Sequence, residues 1–277
     1  MRAHRSMITR PCYVLLFLVL LAGVSPAADD AAPLPPEWRE HVIVRQSFDA
    51  GEEARPDVVE IGLEAQPVPE KRLTDRGLSG RGYRAADGHP YRLAHEDLSL
   101  HQPLTVSMWW TLDEEPKIDG AFSLLRVHGA NRAMVLVFSK GRGKWKNLKH
   151  PVGAFQILNV PNVRNVSMLW AGDLLEAYDL APGRWHHAAL VVRSGGREVE
   201  LFIDGESQHR ATLIGGRIEE EHELHEWLFG NRYKGELAVR LDELILLDRA
   251  LDAESISTYY KGTRALLVRP RAGLSRR

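Results

Sequence analysis

The chain has 277 residues, of which 44% are hydrophobic and 26% charged, with a formal net charge of −1. That length suits one large domain better than two and is enough to bury a core without disulfide staples. The near-zero charge supplies no field for nucleic acid or an anionic membrane surface and argues against both as partners.

Residues 1–27 read as a secretory signal. Arg2, Arg5 and Arg10 make a basic start, residues 14–24 an apolar run, and Ser25-Pro26-Ala27 a small-residue cleavage site. The run is short for a spanning helix, so cleavage is expected and no membrane span remains. Cys12 is the only cysteine and leaves with the signal, so the mature chain carries no disulfide. The expected location is exported: periplasm, cell surface or medium. Residues 28–39 are a Pro-rich linker, and residues 42–48 a first strand. Residues 51–82 are polar and turn-rich, which suits a long irregular connection, and residues 83–93 hold one more strand.

From residue 104 to 112, Leu104, Val106, Met108, Trp110 and Leu112 alternate with Thr105, Ser107, Trp109 and Thr111. This is a strand pattern with Trp109 on the polar parity. Residues 122–127 and 133–138 are two apolar strands joined by a short turn. Residues 155–160, 166–170 and 174–180 are three further short strands.

Residues 183–205, GRWHHAALVVRSGGREVELFIDG, hold the clearest signal. Residues 185–193 are apolar on both parities, as in a central strand covered on both faces. Val199, Leu201 and Ile203 alternate with Glu198, Glu200 and Phe202, as in a strand with one wetter face. Asp204-Gly205 then predicts a type I′ hairpin turn. Leu237, Val239 and Leu241 set a strand parity that steps by three to Leu244 and Leu246, which predicts a β-bulge near Asp242-Glu243. Asp252 is a helix N-cap, Leu251 and Ile256 form a hydrophobic staple, and Gly262 is placed to end the helix. Residues 263–277 are a basic tail.

Three stretches in this order resemble the laminin-G-like, concanavalin A-like jelly-roll domains. They are Thr105-Val106-Ser107 with Trp109, Gly183-Arg184-Trp185-His186-His187 through Phe202-Ile203-Asp204-Gly205, and Leu241-Asp242-Glu243-Leu244 with the helix that follows. The resemblance spans residues 40–262. It implies an all-β fold, a two-sheet antiparallel jelly-roll sandwich with a short C-terminal helix, and it implies ligand binding: carbohydrate or an extracellular protein.

The candidate binding residues follow from chemistry. Trp109 could stack on a sugar, although packing is the first reading. Lys144, Trp145 and Lys146 lie in a cationic stretch, residues 140–149, that suits an anionic polysaccharide by charge and stacking, with a solvated hairpin tip as the first reading. Glu221 and Glu223, in an acidic stretch best read as a solvated loop or short helix, and Asp242 are candidate metal ligands. Calcium is the cofactor such carboxylates would suit, but no metal-loop spacing is present. His186 and His187 are adjacent in a strand and so point to opposite faces, which rules out a joint acid–base pair. Retaining glycosidases of this fold carry alternating acids on one strand, and no such triplet occurs. A non-catalytic binding module is therefore the expected function. A divergent glycan-active hydrolase and a structural or adhesion component are the alternatives.

Overall fold

The computed structural model describes residues 34–49, 58–59, 64–65, 69–78, 80–94, 102–115, 121–129, 132–139, 152–158, 166–170, 179–193, 197–212, 226–230 and 236–268. The expected signal, residues 1–27, lies outside them, as do residues 140–149 and 218–225.

Two antiparallel sheets form the body. The first runs β14 (Glu206–Thr212), β13 (Glu198–Ile203), β12 (His186–Arg193), β7 (Leu104–Leu112), β16 (Val239–Leu247), β1 (Val42–Gln46) and β2 (Val58–Val59). On this sheet β5 (Gly82–Ala85) also pairs with β16, and β4 (Leu73–Thr74) with β5. The second runs β11 (Val166–Trp170), β10 (Val152–Leu158), β9 (Arg132–Ser139), β8 (Ala121–Gly129), β15 (Glu226–Phe229), β6 (Tyr91–Ala94) and β3 (Glu64–Ala65). This is the expected all-β sandwich. Residues 83–93 supply two strands, β5 and β6, instead of one. Glu226 and Trp227, which the sequence suggested as the end of an acidic loop or short helix over residues 218–227, form β15 (Glu226–Phe229) with the two residues that follow, because Trp227 and Phe229 are drawn into the core.

The inter-sheet core takes one parity of each strand. Val106, Met108 and Trp110 of β7 meet Leu190 of β12 and Leu241 and Leu246 of β16. Leu93, Leu125, Val127, Trp227 and Phe229 close it from the second sheet.

The other parity of the first sheet is also dry. All nine residues of β7 are buried. A third layer covers them: the helix Ala253–Arg264 and the short 3-10 turn Pro36–His41. Trp38, Ile256 and Tyr259 from this layer pack on Ala189, Val191, Phe202, Ile245 and Leu247 of the sheet. Trp38 and Tyr259 rings lie 4.8 Å apart. Each such apolar side chain stabilises the docked helix by about 1.5–3 kcal/mol. That exceeds the few tenths per residue that helix propensity can supply. The apolar run on both parities of β12 therefore reports a covering helix, and the wetter face expected for β13 is partly covered too, with Phe202 fully buried.

The helix starts as expected. Ser255 N–H donates to Asp252 Oδ1 at 2.7 Å, and Leu251 and Ile256 share the buried layer. Its end differs: the helix passes through Gly262 to Arg264, and a 3-10 turn, Ala265–Val268, follows. Thr263 is buried and its hydroxyl donates to the Tyr259 carbonyl at 2.9 Å. Ordered chain therefore extends past residue 262, where the basic tail was expected to begin.

Candidate functional site

The site is built by two turns at one end of the first sheet. Ala181-Pro182-Gly183-Arg184 is a type II turn: Arg184 N–H donates to the Ala181 carbonyl at 3.0 Å and Gly183 has φ +81°. Pro presets the first central residue, and glycine takes the positive φ of the second. The turn delivers Arg184 and Trp185 just before β12. The second turn is Asp204-Gly205, with φ of +49° and +78°, the expected type I′ geometry between β13 and β14. A Cβ on Gly205 would sit 2.8 Å from Tyr260 Cδ1, so this glycine also lets the helix approach the turn.

Between the turns and the end of the helix lies a cleft of about 370 Å³. Trp185, Arg184, Asp179, Arg264 and Leu267 line it, with Trp109 and Tyr260 beneath. Asp179 forms an ion pair with Arg184 at the mouth, both side chains about half exposed, and also accepts from Ala181 N–H at 3.1 Å. Deeper in, Asp204 is held on both oxygens: Oδ1 accepts from the His187 N–H at 2.8 Å, and Oδ2 lies 2.9 Å from His186 Nδ1. His186 Nε2 lies 2.9 Å from the Asp179 carbonyl. One imidazole thus ties the two turns together. The Arg264 guanidinium stands over the Tyr260 ring, 5.7 Å from its centroid.

The two histidines do face opposite ways. His186 lies on the core side against Trp110, with ring centroids 5.3 Å apart. His187 lies under the helix, against Trp109, Tyr259 and Tyr260 at 5.4, 5.7 and 6.0 Å. Its Nε2 is 2.8 Å from Ser107 Oγ. A serine bonded to a histidine is the start of a nucleophilic dyad. Here both residues are sealed, at 1% and 0% exposure, and His187 Nδ1 has no hydrogen-bond partner among the described residues. The dyad therefore lacks solvent access and an orienting acid. Burial pushes the His187 imidazole down to about 4, against a smaller upward pull from Asp204.

The structure separates the candidate residues. Trp109 is fully buried and stacks on Tyr260 at 5.6 Å, so its ring offers no face to a sugar and packing accounts for it. Asp242 is buried at the bulge, which falls where the sequence put it: the register against β7 slips between Asp242 and Ile245, and Glu243 has φ +47°. Asp242 Oδ2 accepts from Leu78 N–H at 2.6 Å and Oδ1 from Glu243 N–H at 2.8 Å. Burial, and then repulsion from the Glu243 and Asp49 carboxylates, holds its carboxyl well above the usual range, although the two N–H donors pull the other way. Asp242 is sealed and each of its oxygens already accepts a backbone N–H, so the structure accounts for it as a clamp between the Leu78 loop and the bulge. No group of three or more His, Cys, Asp or Glu side chains among the described residues is arranged to hold a metal ion. Lys144, Trp145, Lys146, Glu221 and Glu223 lie outside the described residues.

Sequence reasoning did not single out Asp179, Arg184 and Arg264. The Ala-Pro-Gly-Arg turn was a legible signal for Arg184 and for Asp179, which pairs with it across that turn, whereas the approach of Arg264 depends on where the helix docks.

The sandwich defines the class as a jelly-roll domain, with the cleft at the end of its helix-covered sheet. The family comparison agrees. Residues 86–257 match the model of the concanavalin A-like lectin/glucanases superfamily, and the chain belongs to that superfamily. No curated protein matches the sequence. Solved structures share the fold at low identity. The botulinum neurotoxin serotype D ligand binding domain, in complex with N-acetylneuraminic acid, matches with TM-score 0.59 and 11% identity, over 80% of this chain and 51% of that one. The binding domain of Paraclostridial Mosquitocidal Protein 1 matches with TM-score 0.55 and 14% identity, over 80% and 52%. The chain spans about half the length of these structures. Among the described residues no helix is long and apolar enough to cross a membrane.

Proposed function

We propose that the protein is a non-catalytic ligand-binding module, exported to the periplasm, cell surface or medium, that recognises a carbohydrate or an extracellular protein through the cleft at Trp185. The observation that carries this reading is the state of the carboxylates in the cleft. Retaining glycoside hydrolysis needs one carboxylate free to attack and a second carboxyl that holds a proton, about 5–5.5 Å apart. Asp204 is committed on both oxygens to the His186 ring and the His187 amide, and Asp179 to Arg184 and Ala181. These acids shape the site and have no oxygen placed for turnover. The structural neighbours support the reading, since the neurotoxin and mosquitocidal matches are binding domains.

A glycan array on the purified protein, with calcium and again with chelator, is the test. Saturable binding with no release of reducing ends is expected. Turnover of any bound glycan would establish the hydrolase alternative. Loss of binding on chelation would show that a metal takes part in holding the ligand.

A further inference from the structure

We propose that the cleft takes a neutral, polyhydroxylated ligand, the end of an uncharged saccharide chain, with a sugar ring against Trp185 and neighbouring hydroxyls across the Arg184–Asp179 pair. This rests on the binding-module reading and narrows its ligand.

The cleft is balanced in charge. Two arginines, Arg184 and Arg264, line the cleft with two aspartates, Asp179 and Asp204. Neither sign dominates. Arg184 keeps N–H donors beyond the one on Asp179, but an anion that takes them also meets the Asp179 carboxylate, and a cation at Asp179 also meets the Arg184 guanidinium. Each charged ligand therefore meets a like charge beside its partner. A hydroxyl meets none. It donates to a remaining carboxylate lone pair and accepts from a remaining guanidinium N–H, because it carries both functions on one atom. Two neighbouring hydroxyls therefore match an Arg–Asp pair whose side chains are 56% and 53% exposed.

Size and surface argue the same way. About 370 Å³ lies at the small end of ligand sites, roughly 300–1,000 Å³, and suits one or two rings. Leu267 is an exposed large hydrophobic, at 37%. With half-buried Trp185 it gives an apolar lip that fits one sugar face, far short of the roughly 800 Å² per side of a stable protein interface. The deep wall is preorganised: His186, 3% exposed, fixes both Asp204 and the backbone at Asp179.

The test titrates the purified protein with three neutral disaccharides, cellobiose, maltose and lactose, and with a disaccharide containing glucuronic acid. Calorimetry and tryptophan fluorescence are read at roughly 0.05 and 0.5 M salt, where screening of a charged ligand differs strongly. The expected result is saturable binding of a neutral probe with little salt dependence. Trp185→Ala and Arg184→Ala should each weaken it on the order of tenfold, and Trp185→Phe should restore most of the loss. Thermal melts of the variants separate misfolding from lost contacts. Binding confined to the acidic probe and weakened by salt overturns this proposal and leaves the module reading intact. Neutral binding untouched by Trp185→Ala and Arg184→Ala overturns the cleft as its site. Binding of neither class removes this proposal together with the carbohydrate half of the module reading.

Discussion

His187 and Asp242 flank one residue. In the register of the first sheet His187 pairs with Trp109, and Trp109 pairs with Asp242. The three make a row across the face that the helix covers, and all are fully buried. Burial acts on the two ends in opposite directions. It keeps the imidazole from taking a proton and the carboxyl from losing one, because in both cases the charged form is the one that loses its water. What differs is the support each receives. The His187 ring has a single hydrogen bond, to Ser107, whereas the Asp242 carboxyl accepts two N–H groups, from Leu78 and Glu243. The histidine is a packing element with a polar atom. The aspartate is a clamp that holds the loop at Leu78 to the bulge of β16.

The most disruptive way to break this row is to remove its centre. Trp109→Ala leaves a cavity under Tyr260 and admits water to both ends. A loss of about 3–5 kcal/mol is expected in urea denaturation. A loss below about 1 kcal/mol would show that the indole does not seal the row.

Changing the pH perturbs the two ends separately. The His187 pKa is about 4 folded against 6.5 unfolded. As pH falls from 6.5 toward 4, the unfolded state gains a proton that the folded state refuses, so stability falls, by up to roughly 3 kcal/mol below both values. Asp242 runs the other way. Its raised folded pKa means the folded state holds the proton more tightly, so its contribution is present below the ordinary carboxylate range and is lost as pH rises through the folded value. The two slopes oppose each other between the ordinary carboxylate and histidine ranges. His187→Gln should remove one of them and leave stability declining as pH rises across that interval. A pH series of urea midpoints with the same slope in wild type and variant would show that His187 is not buried neutral.

Asp242→Asn tests the clamp. One amide N–H of Leu78 or Glu243 then faces a donor in place of an acceptor, and an unsatisfied buried donor costs about 1–3 kcal/mol. Faster hydrogen exchange at Leu78 should accompany the loss. Unchanged exchange there would mean that the loop is held by other contacts.

How much of this could be read from the chain depends on whether the cause is local. The bulge was legible, because a step of three in a period-two pattern leaves no alternative register for Leu241 and Leu244. The Asp204-Gly205 turn was legible because two consecutive positive φ values demand such residues. Burial of Trp109 was half legible. Its parity was read correctly, but that parity looked wetter than it is because Thr105 and Ser107 are polar. Thr105 is there to bond the chain that enters the helix: its hydroxyl donates to the Arg249 carbonyl at 2.8 Å and accepts from Leu251 N–H at 3.0 Å. Ser107 is there for His187. The cleft was least legible, since Arg264 meets the Asp179–Arg184 turn only once the helix has docked on the sheet.

Two glycines beside that helix make the finest test of the same shelf. Gly205 has φ +78° and a Cβ there would meet Tyr260 at 2.8–3.1 Å. Gly205→Ala should therefore strain the turn and push the helix outward, at a cost above 1 kcal/mol. Gly262 was expected to end the helix, as glycine often does, but that role needs a left-handed φ. Tyr259, Tyr260 and Thr263 are all buried, and burying Thr263 requires the helix to continue past 262. Gly262 therefore sits inside the helix, and nothing lies within 4 Å of where its Cβ would stand. Gly262→Ala should stabilise by about 0.5–1 kcal/mol, since glycine carries an entropic cost there that alanine does not. The rise in Tm should be about 1–4 °C for a domain of this size. Any destabilisation at this position would mean that residue 262 is not helical in solution and that the wall carrying Arg264 is not fixed.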